Sequence, residues 1–222
     1  MRADLSAFGN CARSNIKFWG MGKSALNMKS IFTPPRLKES QRWNGLKIGL
    51  LGGSFNPAHE GHLHIAQLAI AKLGLDFVWW LVTPQNPLKK FKGMAPYQER
   101  FESVEKIIAG RPRMMATHLE NELGTTYTYE TVRHLKQAFP KTDFTFICGM
   151  DNALIFHKWD RWKPLARLLP IAFIARPPAA SLVRNCPIRM VHSPDLYWLK
   201  TTRMLDISST QIRNSSKIKK IA

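Results

Sequence analysis

Short apolar runs alternate with segments of helical period along most of this chain, and that alternation limits its fold more than any other feature. The apolar runs, which predict strands, are 47–51, 77–82, 114–119, 144–148 and 171–175. The segments of helical period are 61–73, 97–109 and 129–138. Residues 178–206 predict mainly loop, with one strand near Ile188. Strands that alternate with helices in this way predict an α/β fold, a Rossmann-like, doubly wound parallel sheet with helices on both faces.

The segment before the first predicted strand is different in character. Residues 1–45 have no sustained period and mix Gly, Ser and Asn with basic residues. We interpret them as a disordered basic extension that precedes a domain at 46–222. A targeting peptide and a later start, at Met21 or Met28, are alternatives that the sequence leaves open.

The net charge of +18 is concentrated at the two ends of the chain. Residues 1–46 hold eight Lys or Arg against two acids, and residues 213–222 hold four against none. Such a balance predicts anionic partners in general, which include nucleic acid, phospholipid surfaces and phosphorylated small molecules. A nucleic-acid-binding protein is disfavoured, because the excess charge lies mainly at the ends and no aromatic-plus-basic strand motif is present.

The cysteines and the apolar runs indicate a cellular compartment. Cys11, Cys148 and Cys186 are widely spaced and form no C-x-x-C pair, which argues against a disulfide framework or a cysteine-rich zinc site. No apolar run is long enough to predict a membrane-spanning helix. The sequence therefore predicts a cytoplasmic protein without a membrane partner, and it leaves the oligomeric state open.

The segment 52–62, Gly-Gly-Ser-Phe-Asn-Pro-Ala-His-Glu-Gly-His, lies between the first predicted strand and the first predicted helix. Ligands of parallel sheets bind beyond the carboxyl ends of strands, where a helix N-terminus attracts anions. Gly52 and Gly53 would let the backbone approach a phosphate, and His59 and His62 could donate hydrogen bonds to phosphoryl oxygens. The segment predicts a phosphate-binding turn.

Two other interpretations of this turn are weaker. The histidines could be incidental residues in a Gly-rich turn, but two of them three residues apart after paired glycines favour a shared role. A metal site that uses His59, His62 and His64 lacks zincin spacing and an obvious carboxylate ligand, so we predict no protein-bound metal. The turn is neither the dinucleotide fingerprint nor a P-loop.

A second turn, Ile-Ser-Ser-Thr-Gln-Ile-Arg at 207–213, could hold phosphate as well. The hydroxyls of Ser208, Ser209 and Thr210 can cap a helix and bind phosphate together with the N–H groups that follow. Arg213 lies one turn later and can bind phosphate oxygens with its guanidinium. By itself this segment predicts only a capped helix start. Together with the histidine turn it predicts two walls of one triphosphate site.

These two turns resemble the H-x-G-H and I-S-S-T-x-I-R signatures of a nucleotidyltransferase superfamily. Within it, the sequence from about Lys47 to Arg213 is similar to the bacterial nicotinate-nucleotide adenylyltransferases. Weaker similarities in the same order are found at 79–89, 127–131, 147–151, Trp159 and 176–177. The loop at 84–89 is shorter than the P-N-x-x-P-P-H-K loop of many relatives.

The resemblance implies adenylyl transfer from ATP to nicotinic acid mononucleotide, which gives nicotinic acid adenine dinucleotide and pyrophosphate in NAD biosynthesis. It also implies Mg²⁺ held mainly by the ATP phosphates. Alternatives within the superfamily are a nicotinamide mononucleotide or phosphopantetheine acceptor and a cytidylyltransferase.

The resemblance further implies roles for particular residues. His59 and His62 would contact the α- and β-phosphates and, with Arg213, form the catalytic set. The ATP-binding residues would be Gly52, Gly53, Ser54, Phe55, Gly149, Asp151, Ser208, Ser209 and Thr210. The acceptor-binding residues would be Asn86, Lys89, Thr128 and Trp159. All of these assignments require the histidine turn and the Ser-Ser-Thr turn to converge in space.

Overall fold

The computed structural model describes residues 33–84, 93–175, 182–191 and 195–200, together with Ser209 and Ile212. In this part of the chain, six strands form one sheet in the order β3-β2-β1-β4-β5-β6, and all five pairings are parallel. The strands are β1 (Lys47–Gly53), β2 (Phe77–Val82), β3 (Met114–Thr117), β4 (Asp143–Gly149), β5 (Ile171–Ile174) and β6 (Leu196–Leu199). The strand order reverses between β1 and β4, which is where open α/β sheets bind their ligands.

Six α-helices and four 3₁₀ helices connect or flank the described strands. The α-helices are α1 (Glu60–Leu73), α2 (Tyr97–Ile108), α3 (Leu119–Leu123), α4 (Thr128–Ala138), α5 (Asp151–Ile155) and α6 (Trp162–Leu168). The 3₁₀ helices are Ser40–Trp43, Phe156–Lys158, Leu182–Asn185 and Pro187–Met190. Within the described ranges, none of the helices combines the length and the apolar character needed to span a membrane.

Side chains from the two faces of the sheet enter two separate hydrophobic clusters. In β2, Trp79 belongs to the cluster beneath α4, α5 and α6, whereas Trp80 belongs to the cluster beneath α1 and α2. Both indole side chains are fully buried, because successive strand residues point to opposite faces and both faces are covered by helices. The predicted doubly wound α/β fold is confirmed.

The prediction of a strand near Ile188 is wrong. Residues Pro187–Met190 form a 3₁₀ helix, and Ile188 is fully buried against the core. Pro187 cannot donate to a strand ladder, so the apolar character of its neighbour reflects burial rather than strand formation. The sixth strand lies instead at Leu196–Leu199, where it pairs with β5. The predicted strand at 114–119 is also too long, because α3 begins at Leu119.

Packed structure extends to the N-terminal side of the predicted boundary at residue 46. Trp43 is fully buried, and its ring packs edge-on against Phe77 and Trp79 at centroid distances of 5.5 and 5.0 Å. Its backbone carbonyl accepts a 2.9 Å hydrogen bond from the hydroxyl of Thr142. The core therefore recruits a residue that we had assigned to the basic extension, whereas residues 1–32 lie outside the described residues.

Candidate active site

The glycine turn after β1 is shaped by a buried phenylalanine. Phe55 has φ of +43°, a left-handed conformation that is strained for a bulky side chain. Its ring is 1% exposed and lies 5.2 Å from the Trp80 ring and 5.0 Å from the His62 imidazole, centroid to centroid. A Cβ on Gly53 would lie 3.2 Å from two atoms of that ring. Phe55 therefore packs against the His62 imidazole from a fully buried position.

The two histidines cap α1 reciprocally. Nδ1 of His59 accepts a 3.2 Å hydrogen bond from the N–H of Gly61, and Nδ1 of His62 accepts one of 3.3 Å from the N–H of His59. The ring centroids are 3.8 Å apart, and His59 is 5% exposed. Because each Nδ1 accepts, each neutral imidazole carries its hydrogen on Nε2. Both rings therefore lie at the positive end of a fourteen-residue helix with Nδ1 engaged in the cap.

Among the hydroxyl residues of the Ser-Ser-Thr turn, Ser209 is the one that the structure describes. It lies next to the histidine turn. The hydroxyl of Ser209 donates a 3.0 Å hydrogen bond to the carbonyl of Pro57, although the two residues are 152 positions apart. Pro57 lies two residues before His59, so Ser209 contacts the turn that carries the histidine pair. Ser208, Thr210 and Arg213 lie outside the described residues.

The predicted ribose contacts lie across the point where the strand order reverses. Gly149 ends β4, and Asp151 begins α5 two residues later. Since β4 pairs in parallel with β1, Gly149 lies at the same carboxyl edge of the sheet as the histidine turn. Met150 between them donates its N–H to the carbonyl of Ile174 at 2.8 Å, which ties this segment to β5.

The predicted acceptor residues that are described, Thr128 and Trp159, belong to two segments held together by an ion pair. Thr128 begins α4, and the Trp159 ring stacks on Phe156 at a centroid distance of 4.8 Å. Arg161 forms an ion pair with Glu130 of α4. The Arg161 guanidinium also lies 4.5 Å from the ring centroid of Tyr129, the residue before Glu130. A further hydrogen bond from Arg133, together with the one from Arg161, lowers the pKa of Glu130. Asn86 and Lys89 lie outside the described residues.

Two buried charged residues near this edge were missed by the sequence analysis. Arg100 of α2 is 2% exposed, and Glu120 of α3 is 5% exposed. One available signal was the position of Arg100 in its helix, because Arg100, Val104 and Ile108 follow one another at intervals of four residues and share the buried face. Glu120 carried no comparable signal.

The described residues contain no group of three His, Cys, Asp or Glu side chains that could hold a metal ion. At this edge of the sheet the chain offers the imidazole pair and the positive end of α1, and Ser209 is held beside them by its bond to Pro57. This arrangement is suited to binding a polyphosphate and stabilising charge that grows on it.

Comparison with known proteins also identifies a nucleotidyltransferase family. The sequence profile of the family described as "Cytidylyltransferase-like" matches residues 50–215. A Parvibaculum lavamentivorans protein described as "Probable nicotinate-nucleotide adenylyltransferase" is 47% identical over 150 residues, covering 64% of this chain and 74% of that protein. A Gluconobacter oxydans protein of the same description is 40% identical over 190 residues, covering 78% of this chain and 97% of that protein.

A solved structure supports the fold independently. Plasmodium falciparum nicotinic acid mononucleotide adenylyltransferase complexed with NaAD superposes with a TM-score of 0.65 at 20% sequence identity. The match covers 79% of this chain and 89% of that one. At this identity, the likeness is one of fold. The family profile and the sequence relatives show that this chain belongs to the cytidylyltransferase-like nucleotidyltransferases and, among them, to the nicotinate-nucleotide adenylyltransferase family.

Proposed function

We propose that this enzyme transfers the adenylyl group of ATP to nicotinic acid mononucleotide, forming nicotinic acid adenine dinucleotide and releasing pyrophosphate. Its relatives are named for this reaction. The observation that carries the proposal is the contact of Ser209 with Pro57, which brings the two predicted phosphate-binding turns to one edge of the sheet. Pro57 lies in the turn that carries the histidine pair, which supports one shared phosphate site for the two turns.

The reaction would be an in-line attack by the acceptor's 5′-phosphate oxygen on the α-phosphorus of ATP. The attacking phosphate is already an anion at neutral pH, so this step requires no general base. The obstacle is that two anions must be brought together and held in line. Positioning alone can lower a barrier by about 7–11 kcal/mol in favourable cases. The protein would contribute alignment and charge stabilisation.

In this mechanism the Nε2–H groups of His59 and His62 donate to the α- and β-phosphate oxygens as negative charge grows on them. Ser208, Ser209, Thr210 and Arg213 hold the β- and γ-phosphates that depart. On the ATP side, the backbone of Gly52, Gly53, Ser54 and Phe55 follows the phosphates, and Gly149 and Asp151 meet the ribose. On the acceptor side, the proposed contacts are Asn86, Lys89, Thr128 and Trp159.

The proposal includes Mg²⁺ and a cellular location. Mg²⁺ would enter with ATP and be held mainly by its phosphates and by water, which neutralises part of the charge that builds up on pyrophosphate. A cytoplasmic location is part of the same proposal. It is supported by Cys148 and Cys186, which are buried and lie outside any disulfide among the described residues.

The acceptor is tested by measuring pyrophosphate release from ATP with different acceptors. We expect turnover with nicotinic acid mononucleotide and far less with nicotinamide mononucleotide or phosphopantetheine. CTP in place of ATP separates a cytidylyltransferase from an adenylyltransferase. Preferential turnover of another acceptor would replace the proposed one. Tight, salt-dependent RNA binding without any turnover of ATP would favour the nucleic-acid-binding alternative.

The role of the histidines is tested by His62→Ala, with His64→Ala on the same helix as the matched control. We expect His62→Ala to lower kcat by about 10²–10³-fold, since it removes a donor aimed at developing charge. ATP binding, measured by calorimetry, should weaken far less. An equal loss of turnover and binding would contradict a transition-state role. His64→Ala should retain wild-type kcat.

A further inference from the structure

The most unusual group outside the proposed machinery is the guanidinium of Arg100. It is 2% exposed, and no carboxylate among the described residues forms an ion pair with it. Its hydrogen bonds within the described ranges all go to backbone carbonyls. Burial lowers the pKa of Arg100, but an arginine remains charged in any protein environment. Because burying a charge is costly unless other groups compensate it, the hydrogen bonds of Arg100 must offset that cost in place of an acid partner.

The carbonyls that Arg100 binds come from three separate segments. Nη1 donates to Ser54 at 2.7 Å and to Thr83 at 2.8 Å, and Nη2 donates to Pro84 at 2.8 Å. Nε donates to Ala95 at 3.0 Å. Ser54 belongs to the turn after β1, Thr83 and Pro84 follow β2, and Ala95 precedes α2. One planar group therefore fixes the spacing of three backbone segments at the carboxyl edge of the sheet.

A second side chain links the same segments. Asn56, in the histidine turn, donates to the carbonyl of Gly93 at 3.0 Å and accepts from the N–H of Ala95 at 3.1 Å. From α2, the hydroxyl of Ser103 accepts the N–H of Ala58 at 3.1 Å. The turn that leads to the histidines is thus tied to the chain on both sides of residues 85–92, the stretch that contains the proposed acceptor contacts.

We propose that Arg100 is a positioning residue that sets the distance between the phosphate turn and the two flanks of the acceptor-binding stretch, Pro84 and Ala95. This inference rests on the proposed function, because it takes Asn86 and Lys89 as contacts of the acceptor. Arg100 touches neither substrate. It acts by holding the backbone at Ser54 on one side and at Pro84 and Ala95 on the other, so that the two phosphates meet in line.

The substitution Arg100→Lys separates geometry from charge. Lysine retains the positive charge near the phosphate turn but is a compact donor that cannot span four carbonyls with a planar fork. We expect the KM for nicotinic acid mononucleotide to rise about tenfold, whereas the KM for ATP should stay within about twofold. The matched control is Arg113→Lys. Arg113 also donates to backbone carbonyls, those of Leu75 and Asp76, but it lies where β2 and β3 begin.

A chemical rescue distinguishes positioning from a general loss of stability. Arg100→Ala should raise the KM for the mononucleotide further, and millimolar guanidinium should restore much of the loss by occupying the space among the four carbonyls. Methylammonium at the same concentration should restore less, because it lacks the planar fork. If Arg100→Ala does not fold, the Arg100→Lys comparison decides the matter.

Three results would overturn the inference. One is a rise of both KM values in equal proportion in Arg100→Lys, and another is the same change in Arg113→Lys. In either case the proposed function would stand, provided that the wild-type enzyme turns over nicotinic acid mononucleotide. The third result is the absence of that wild-type turnover, which would overturn the proposed function and this inference together.

Discussion

The buried carboxyl of Glu120 makes the stability of this protein depend on pH in a predictable way. Glu120 is 5% exposed, and its Oε1 accepts a long hydrogen bond, 3.4 Å, from the hydroxyl of Thr131. Burial raises the pKa of Glu120 from 4.5 to about 7, and the hydroxyls of Thr83 and Thr131 offset part of that rise. Folding therefore favours the protonated carboxyl.

The sign and size of the effect follow from linkage. Between pH 4.5 and 7 the folded chain binds more protons at this site than the unfolded chain, so the free energy of unfolding falls as pH rises. At about 1.36 kcal/mol per pKa unit, the loss between pH 5 and pH 8 is about 2–3 kcal/mol. For a domain of this size, that corresponds to a fall in Tm of roughly 4–12 °C.

The substitution Glu120→Gln removes the titration and keeps the shape of the side chain. We expect the variant to gain about 2–3 kcal/mol relative to the wild type between pH 5 and pH 8. The assay is urea unfolding at several pH values, followed by the fluorescence of the buried tryptophans. Glu122→Gln, exposed on the same helix, is the matched control and should show no such gain. A wild-type-to-Glu120→Gln difference that stays constant with pH would refute the reasoning.

Three further substitutions test the packing of the site. In Gly49→Ala the new Cβ would clash with Cδ1 of Ile147 in β4, so we expect a loss of about 1–3 kcal/mol in urea unfolding. A free energy of unfolding equal to that of the wild type would contradict this packing. Gly53→Ala would push against the Phe55 ring that supports the histidines, so kcat should fall while the protein stays folded; unchanged turnover would argue against that support. Ser209→Ala removes the bond to Pro57, which at about 1 kcal/mol should raise the KM for ATP roughly fivefold in steady-state assays, and an unaltered KM would show that the contact is dispensable.

The elements that the sequence predicted correctly are those with a local cause. The buried run at 77–82 forms β2, and the period of 129–138 lies within α4, because strand and helix patterns are set by neighbours a few residues apart. β6 has no period-two pattern, since it consists of four apolar or aromatic residues, three half-buried and one, Tyr197, exposed. Ile188 shows why an apolar residue indicates burial but not conformation, since it is fully buried in a 3₁₀ helix and not in a strand.

The features of the site likewise divide into those that have a local sequence signal and those that do not. The histidine turn could be predicted because its glycines, its histidines and the N-terminus of α1 lie within eleven residues. The direction of each imidazole could not, since it depends on which backbone N–H each Nδ1 accepts. The helical spacing of Arg100 can indicate that it is buried, but the four carbonyls around it come together only in the folded chain, so no local pattern identifies what it binds.

The separation of Trp79 and Trp80 into different clusters also protects the geometry of the reaction. A slip of β2 by one residue would exchange the two indoles between faces and shift the end of the strand by about 3.3 Å. Thr83 and Pro84 would then be carried away from the guanidinium that binds their carbonyls. The two buried indoles therefore fix the register of β2. The positions of the Thr83 and Pro84 carbonyls at the carboxyl edge of the sheet thus depend on packing in the interior.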